Sequence, residues 1–236
     1  MKILIAAGGT GGHINPGIAI GKMLKEKGNE VKFVGTDIGM ETDLVPKAGF
    51  ELELIHSEGL RRGISLKNIK TLMTMNKGVV ECLNLIKEEK PDIVIGTGGY
   101  VTAPLVIAGL KLKVPTMIHE SNALPGKTTI WLSPKVDVIA LGFEDAKRHI
   151  PHAKNAVFTG NPTSMNITLS KEEMKKKLGI HGKLLLVFGG SQGAKKINDT
   201  MVELLNNSKL GCGIIYATGK NNYDEVISKV KKKMKM

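Results

Sequence analysis

Short apolar runs rich in Val, Ile and Leu alternate along this chain with longer stretches whose apolar positions recur every three or four residues. The runs predict strands at 2–7, 30–35, 51–55, 93–95, 116–119, 136–141, 156–159, 184–188 and 213–217. The longer stretches predict helices around 16–27, 41–48, 66–89, 103–110 and 195–207. Strand and helix in alternation build βαβ units on a parallel sheet, so the expected class is α/β. Continuous apolar strands such as "KLLLVF" (183–188) suit a sheet covered on both faces. The "ELE" at 51–53 places two carboxylates on one strand face, which reads as a solvated edge.

The pattern breaks between 150 and 170. "IPHAKNAVFTGNPTSMNITLS" carries two prolines and several Asn and Ser, and it ends in a capping-box pair, Ser170 and Glu173. The expected division is a full α/β domain over 1–162 and about two further βα units, marginal for an independent core, over 163–236.

Three glycine-rich stretches each follow a strand: "GGTGGH" (8–13), "GTGGYVTAP" (96–104) and "GGSQGA" (189–194). Ligands of open α/β sheets bind beyond the carboxyl ends of the strands, where glycines admit them and helix N-termini favour an anion. Three such loops in one chain predict a cleft handling a phosphate or a sugar nucleotide. The dinucleotide fingerprint fails, because its third glycine would fall at Ile14. No Gly-Lys-Ser/Thr closes any of these loops, so the P-loop pattern fails as well.

Charge sharpens this picture. The 236 residues carry a formal net charge of +12, which suits an anionic partner. Aromatics make up only 4%, and no helix-turn-helix, zinc-finger or basic-zipper pattern is present, so nucleic acid is not expected. Cys82 and Cys212 sit in apolar contexts without metal-ligand spacing and read as buried free thiols of a reducing compartment. No metal or cofactor site is expected. The apolar start is too short for a signal peptide, and no run has the length of a spanning helix. "RRGISLKNIKTLMTMNKGVV" (61–80) combines Arg61, Arg62, Lys67, Lys70 and Lys77 with an apolar stripe. It suits either the core or an anionic membrane surface.

Several side chains in these loops can carry chemistry. The His13 imidazole can act as a base, or it can bond local backbone. Tyr100 offers a hydroxyl beside Gly98 and Gly99, which can form an anion nest. His119 and Glu120 read as an acid/base pair or as a polar strand terminus. Ser191 is a phosphate contact or an N-cap.

Taken in order, "AAGGTGGHINPGIAI", "GLRRGISLKN", "PDIVIGTGGYVTAP", "IHESNALPGKT", "TGNP" and "FGGSQGAKKIN" resemble the MurG family. These are bacterial transferases that move N-acetylglucosamine from UDP-GlcNAc to lipid I in peptidoglycan synthesis. The resemblance covers nearly the whole chain. It implies a GT-B fold, with two Rossmann-like domains facing across a cleft. It implies an N-terminal domain that binds undecaprenyl-diphosphate-linked MurNAc-peptide (lipid I) at the cytoplasmic face of the membrane. The reaction it implies is inverting transfer to the MurNAc 4-hydroxyl, without a cofactor, giving lipid II. His13 is then the candidate base. Thr10, Gly11, Gly12, Asn122 and Ser191 are substrate contacts, and Gly98, Gly99 and Tyr100 form the acceptor diphosphate loop. Glu120, Gln192 and Ser164 carry weaker expectations. Ser164 stands where the family usually has a donor-site Arg, and Thr129 where it usually has Asn. The resemblance also implies that roughly the last third of a family chain, which grips uracil, ribose and GlcNAc, lies beyond Met236. Two alternatives follow: an inactive lipid-binding fragment, or a GT-B lipid glycosyltransferase with another acceptor.

Overall fold

A computed structural model describes residues 1–57, 66–163, 169–190 and 193–231, without the side chains of 66–72 and 220. The chain forms two compact units, Met1–Met165 and Asn166–Met236.

The first unit is built on seven parallel strands: β1 (Lys2–Ala6), β2 (Glu30–Gly35), β3 (Glu51–Leu54), β4 (Ile93–Gly96), β5 (Thr116–Glu120), β6 (Val138–Leu141) and β7 (Ala156–Phe158). Their order is β3-β2-β1-β4-β5-β6-β7. The chain winds outward from β1 on one side as far as β3, then returns to lay β4 on the other side, with Ile3 opposite Ile93 and Ala6 opposite Gly96. The carboxyl ends of β1 and β4 therefore flank the topological switch point, where an open α/β sheet offers its crevice. The residues of β1 from Leu4 to Ala6 are fully buried, as expected for a strand covered on both faces. Helices α1 (Gly11–Glu26), α2 (Glu41–Lys47), α3 (Leu66–Glu89), α4 (Thr102–Leu112) and α5 (Lys127–Leu132) complete the layers.

One core cluster packs Ile3, Ile5, Ile14, Ile18, Phe33 and Val45 together. Another packs Leu4, Val34, Cys82, Ile86, Val94 and Leu105. The described part of α3 buries Val79, Cys82 and Ile86 at helical spacing and exposes Met73 and Val80. The 61–80 stripe is thus partly core: Val79 packs inward, whereas Arg61 and Arg62, like the side chains of Lys67 and Lys70, lie outside the described residues. Edge strand β3 leaves Glu51 exposed, and Glu51 meets Lys32 at 3.4 Å. At the amino end of the sheet, Glu89 bridges Lys2 and Lys32, and both lysines hold its carboxyl below the usual range.

The second unit contains α6 (Lys171–Lys177), β8 (Leu184–Phe188), α7 (Lys195–Asn207), β9 (Gly213–Ala217) and α8 (Tyr223–Lys229). The capping box forms: the Ser170 hydroxyl accepts from the Glu173 N–H, and the Glu173 carboxylate accepts from the Ser170 N–H at 2.7 Å. The expectation for "KLLLVF" requires correction. Among the described residues, strand β8 pairs with β9 alone and leaves Leu186 and Phe188 exposed, so the two strands and three helices described do not cover both its faces. Cys82 is buried as expected and its thiol is pushed up to about 12 by burial, whereas Cys212 is only half-buried.

Candidate active site

The first glycine loop is shorter than the sequence suggests. Thr10 is the extended N-cap of α1, and Gly11, Gly12 and His13 already form its first turn. His13 and Ile14 donate their N–H groups to the Thr10 carbonyl, at 3.0 and 3.1 Å. The N–H groups of Gly11 and Gly12 belong to the unsatisfied donors that every helix start presents. Gly9 turns the chain at φ +86°, a conformation that favours glycine.

The second loop packs directly against the first. Gly98 and Gly99 have φ of +120° and +76°. A Cβ at Gly99 would collide with the Gly8 carbonyl oxygen, and one at Gly98 would lie 2.7 Å from His13 Cγ. The His13 ring therefore lies against Gly98 because no side chain is there. Thr97 fastens the same junction from below: its hydroxyl donates to the His13 carbonyl at 2.8 Å. Thr102, at the start of α4, accepts from the Gly98 N–H at 3.0 Å. The Ser57 hydroxyl holds the Tyr100 carbonyl at 2.8 Å.

Beside this junction is a cavity of about 250 Å³, lined by His13, the second loop, Met75 of α3, and Glu120, Asn122 and Thr129. His13 is one of its lining residues, and its Nδ1 is buried with no hydrogen-bond partner. A buried imidazole nitrogen without a partner is costly unless a ligand supplies one. Glu120 lines the far side and acts as a hub. One carboxylate oxygen accepts from the Asn122 N–H and side-chain amide, at 2.9 and 2.8 Å. The other accepts from the Gly126 N–H at 3.0 Å and the Thr129 hydroxyl at 2.6 Å. Asn122 is exposed and held in place by this hub.

The structure corrects the pairing of His119 with Glu120. Consecutive strand residues face opposite sides of a sheet. The His119 imidazole instead meets the Gly160 carbonyl at 3.4 Å and the Ser121 hydroxyl at 3.3 Å. Burial pushes its pKa below the ordinary histidine value. Thr129 supplies the shortest bond to Glu120.

The structure thus brings together His13, Gly98, Gly99, Tyr100, Glu120 and Asn122 around one cavity. Thr10, Gly11 and Gly12 lie on the adjoining loop and first turn. Ser164, Ser191 and Gln192 lie outside the described residues. Sequence reasoning missed Thr97, Thr102 and Glu41. The signal for the first two was their place within the second glycine-rich stretch, 96–104. For Glu41, an acidic residue opening a helix, the only pattern was a favourable charge at an N-terminus. Among the described residues no group of three or more His, Cys, Asp or Glu side chains is placed to hold a metal ion.

A doubly wound parallel sheet with a cavity beside two packed glycine loops at its switch point, followed by the start of a second α/β unit, is the architecture of a GT-B enzyme. The chain belongs to glycosyltransferase family 28: the profile of its N-terminal domain matches residues 3–141, and that of its C-terminal domain matches 184–236. Its curated relatives include the UDP-N-acetylglucosamine--N-acetylmuramyl-(pentapeptide) pyrophosphoryl-undecaprenol N-acetylglucosamine transferase of Acetivibrio thermocellus, 43% identical over 98% of this chain and 64% of that protein. The transferase of the same name from Caldanaerobacter subterraneus subsp. tengcongensis is 44% identical over 98% of this chain and 65% of its own length. The chain therefore spans just under two thirds of these relatives. Among solved structures, Acinetobacter baumannii MurG superposes with a TM-score of 0.70 at 25% identity, covering 97% of this chain and 64% of that one. The UDP-GlcNAc 2-epimerase of Neisseria meningitidis shares the fold alone, with a TM-score of 0.60 at 16% identity over 98% of this chain and 69% of the epimerase.

Proposed function

We propose that the first unit holds the acceptor of an inverting N-acetylglucosaminyl transfer, in which GlcNAc passes from UDP-GlcNAc to the MurNAc 4-hydroxyl of lipid I and lipid II results. The carrying observation is His13, which lines the cavity and whose Nδ1 is buried without a hydrogen-bond partner. A neutral imidazole there takes the hydroxyl proton as the oxygen attacks the anomeric carbon. The new glycosidic bond forms on the face opposite the breaking bond to UDP, and the electron pair of that bond leaves with the diphosphate. The free N–H groups at the start of α1 and the nest at Gly98 and Gly99 supply dipoles for a lipid-linked diphosphate. Asn122, fixed through Glu120, offers an orienting amide to a sugar. Ser191, Gln192 and Ser164 are proposed donor contacts.

Recruitment to the cytoplasmic face of an anionic membrane is part of the same reading. No described helix is long and apolar enough to cross a membrane. Exposed Met73 and Val80 on α3, with Trp131 on α5 under Lys135, provide apolar and basic contacts of the kind an interface takes up.

Acceptor competition tests this function. A soluble lipid I analogue should displace a fluorescent lipid I probe from the chain. The same analogue without its diphosphate should compete at least about tenfold less well, a loss of about 1.4 kcal/mol. Equal competition by a different diphosphate-linked sugar would contradict the assignment of MurNAc-peptide as acceptor.

A further inference from the structure

Glu41 lies at the start of α2, is fully buried, and takes no part in the chemistry described above. One of its oxygens accepts from the Gly9 N–H at 2.9 Å. The other accepts from the Thr36 N–H at 3.1 Å and the Thr36 hydroxyl at 2.8 Å. Thr36 follows the last residue of β2, so this carboxylate joins the end of one strand to the loop that follows another.

Three glycines make room for it. A Cβ on Gly8 would lie 2.9 Å from Glu41 Oε1, and one on Gly35 would lie 2.7 Å from its Cγ. A Cβ on Gly39 would overlap the carboxylate itself. Gly8 and Gly35 have negative φ and need no glycine for backbone conformation. Their small size is explained by the volume of this side chain, together with Val101 against Gly8 and Leu52 against Gly35. Burying a carboxylate is expensive, and a merely structural post here would be better made from an apolar residue. What an apolar residue could not do is take up the Gly9 N–H.

We propose that Glu41 is a positioning residue for diphosphate recognition by the first glycine loop. Held through Gly9, the loop passes from φ +86° into the N-cap at Thr10, so that the N–H groups of Gly11 and Gly12 open α1 as free donors. The carboxylate acts from beneath and does not touch the anion. This rests on the reading of that loop as a diphosphate site.

Two effects of opposite sign make the proposal testable. Simple electrostatics says that a negative charge under an anion loop weakens binding, so its removal should tighten it. Positioning says the reverse. Glu41→Gln keeps the volume and can keep an oxygen on Thr36, but it turns an amide NH₂ toward the Gly9 N–H and breaks that bond. The probe is inorganic pyrophosphate, read from the backbone amide signals of residues 9–13 by NMR on the whole chain. In the wild type the Gly9 amide should exchange with solvent at least about tenfold more slowly than those of Gly11 and Gly12. Glu41→Gln should abolish that protection and weaken pyrophosphate binding about tenfold. Thr36→Val, which removes a bond to Glu41 but not the one to Gly9, should lower stability and leave both readouts in place. A Gly9 amide as exposed as its neighbours in the wild type overturns the proposal without any variant. So does pyrophosphate binding that is unchanged or tighter in Glu41→Gln. No response of residues 9–13 to pyrophosphate in the wild type overturns the diphosphate reading itself, and the proposal with it.

Discussion

At the scale of single residues, the site depends on what is absent as much as on what is present. Gly98 leaves a space that the His13 ring fills, and Gly99 lets one loop's backbone touch the other's carbonyl. Gly99→Ala should destabilise the first unit by about 1–3 kcal/mol, since it adds both a strained φ and a collision with Gly8. Urea denaturation of the variant measures this. His119 gives a pH dependence of known sign. Its pKa is lowered in the fold by burial, so on acidification the unfolded chain takes up the proton first. The neutral imidazole therefore favours the fold fully above about pH 6.5, and that stability is lost as the pH falls through the lower native value. His119→Gln should show a smaller drop in melting temperature between pH 8 and pH 5.5 than the wild type. An identical drop would show that His119 does not contribute. At this scale His13 and Tyr100 stand out in the sequence because glycines surround them, whereas Asn122 came from the family resemblance alone. The roles of Glu41 and Thr97 were not legible, because each depends on a partner distant in sequence.

At the scale of elements, Glu120 ties the end of β5 to the segment that leads into α5. All four of its accepted bonds come from Asn122, Gly126 and Thr129. Glu120→Gln replaces two of these acceptor contacts with a donor and should cost about 1–3 kcal/mol. Faster exchange of the Asn122 and Gly126 amides would localise the effect, and unchanged exchange would refute the hub. Thr129→Ser should retain most of the stability that Thr129→Val loses, since it keeps the hydroxyl. Element boundaries were legible where local pattern and packing agree. Helix α3 runs over 66–89 as its periodicity indicates. Helix α1 begins before the apolar period does, because Gly11 and Gly12 are poor helix formers held there by the loop junction. The short α5 was missed, since six residues around one hub carry too little period to detect.

For the whole molecule, the doubly wound order places both described glycine loops at the switch point beside β1 and β4, and this concentrates the candidate chemistry in one cavity. Alternation of strands and helices made the α/β class readable, and β1 shows the expected burial on both faces. The exposure of β8 was not readable, because an apolar strand pattern records what the strand can bury and not how many neighbours it has. The basic net charge of +12 suits both a diphosphate ligand and an anionic surface, so charge alone does not separate them. Salt does: binding to anionic vesicles should fall steeply between 50 and 300 mM NaCl, while a ligand held by loop N–H groups inside the cavity should respond much less.

The central claim is that this cavity holds the lipid-linked acceptor against His13. Equilibrium titration of a soluble lipid I analogue into the wild type and Gly98→Val tests it most directly, because a side chain at Gly98 would occupy the space taken by the His13 ring. The account predicts saturable binding to the wild type and at least about tenfold weaker binding to the variant, with the variant shown to be folded by its amide spectrum. Equal affinity for a folded Gly98→Val, or no saturable binding to the wild type, would contradict it.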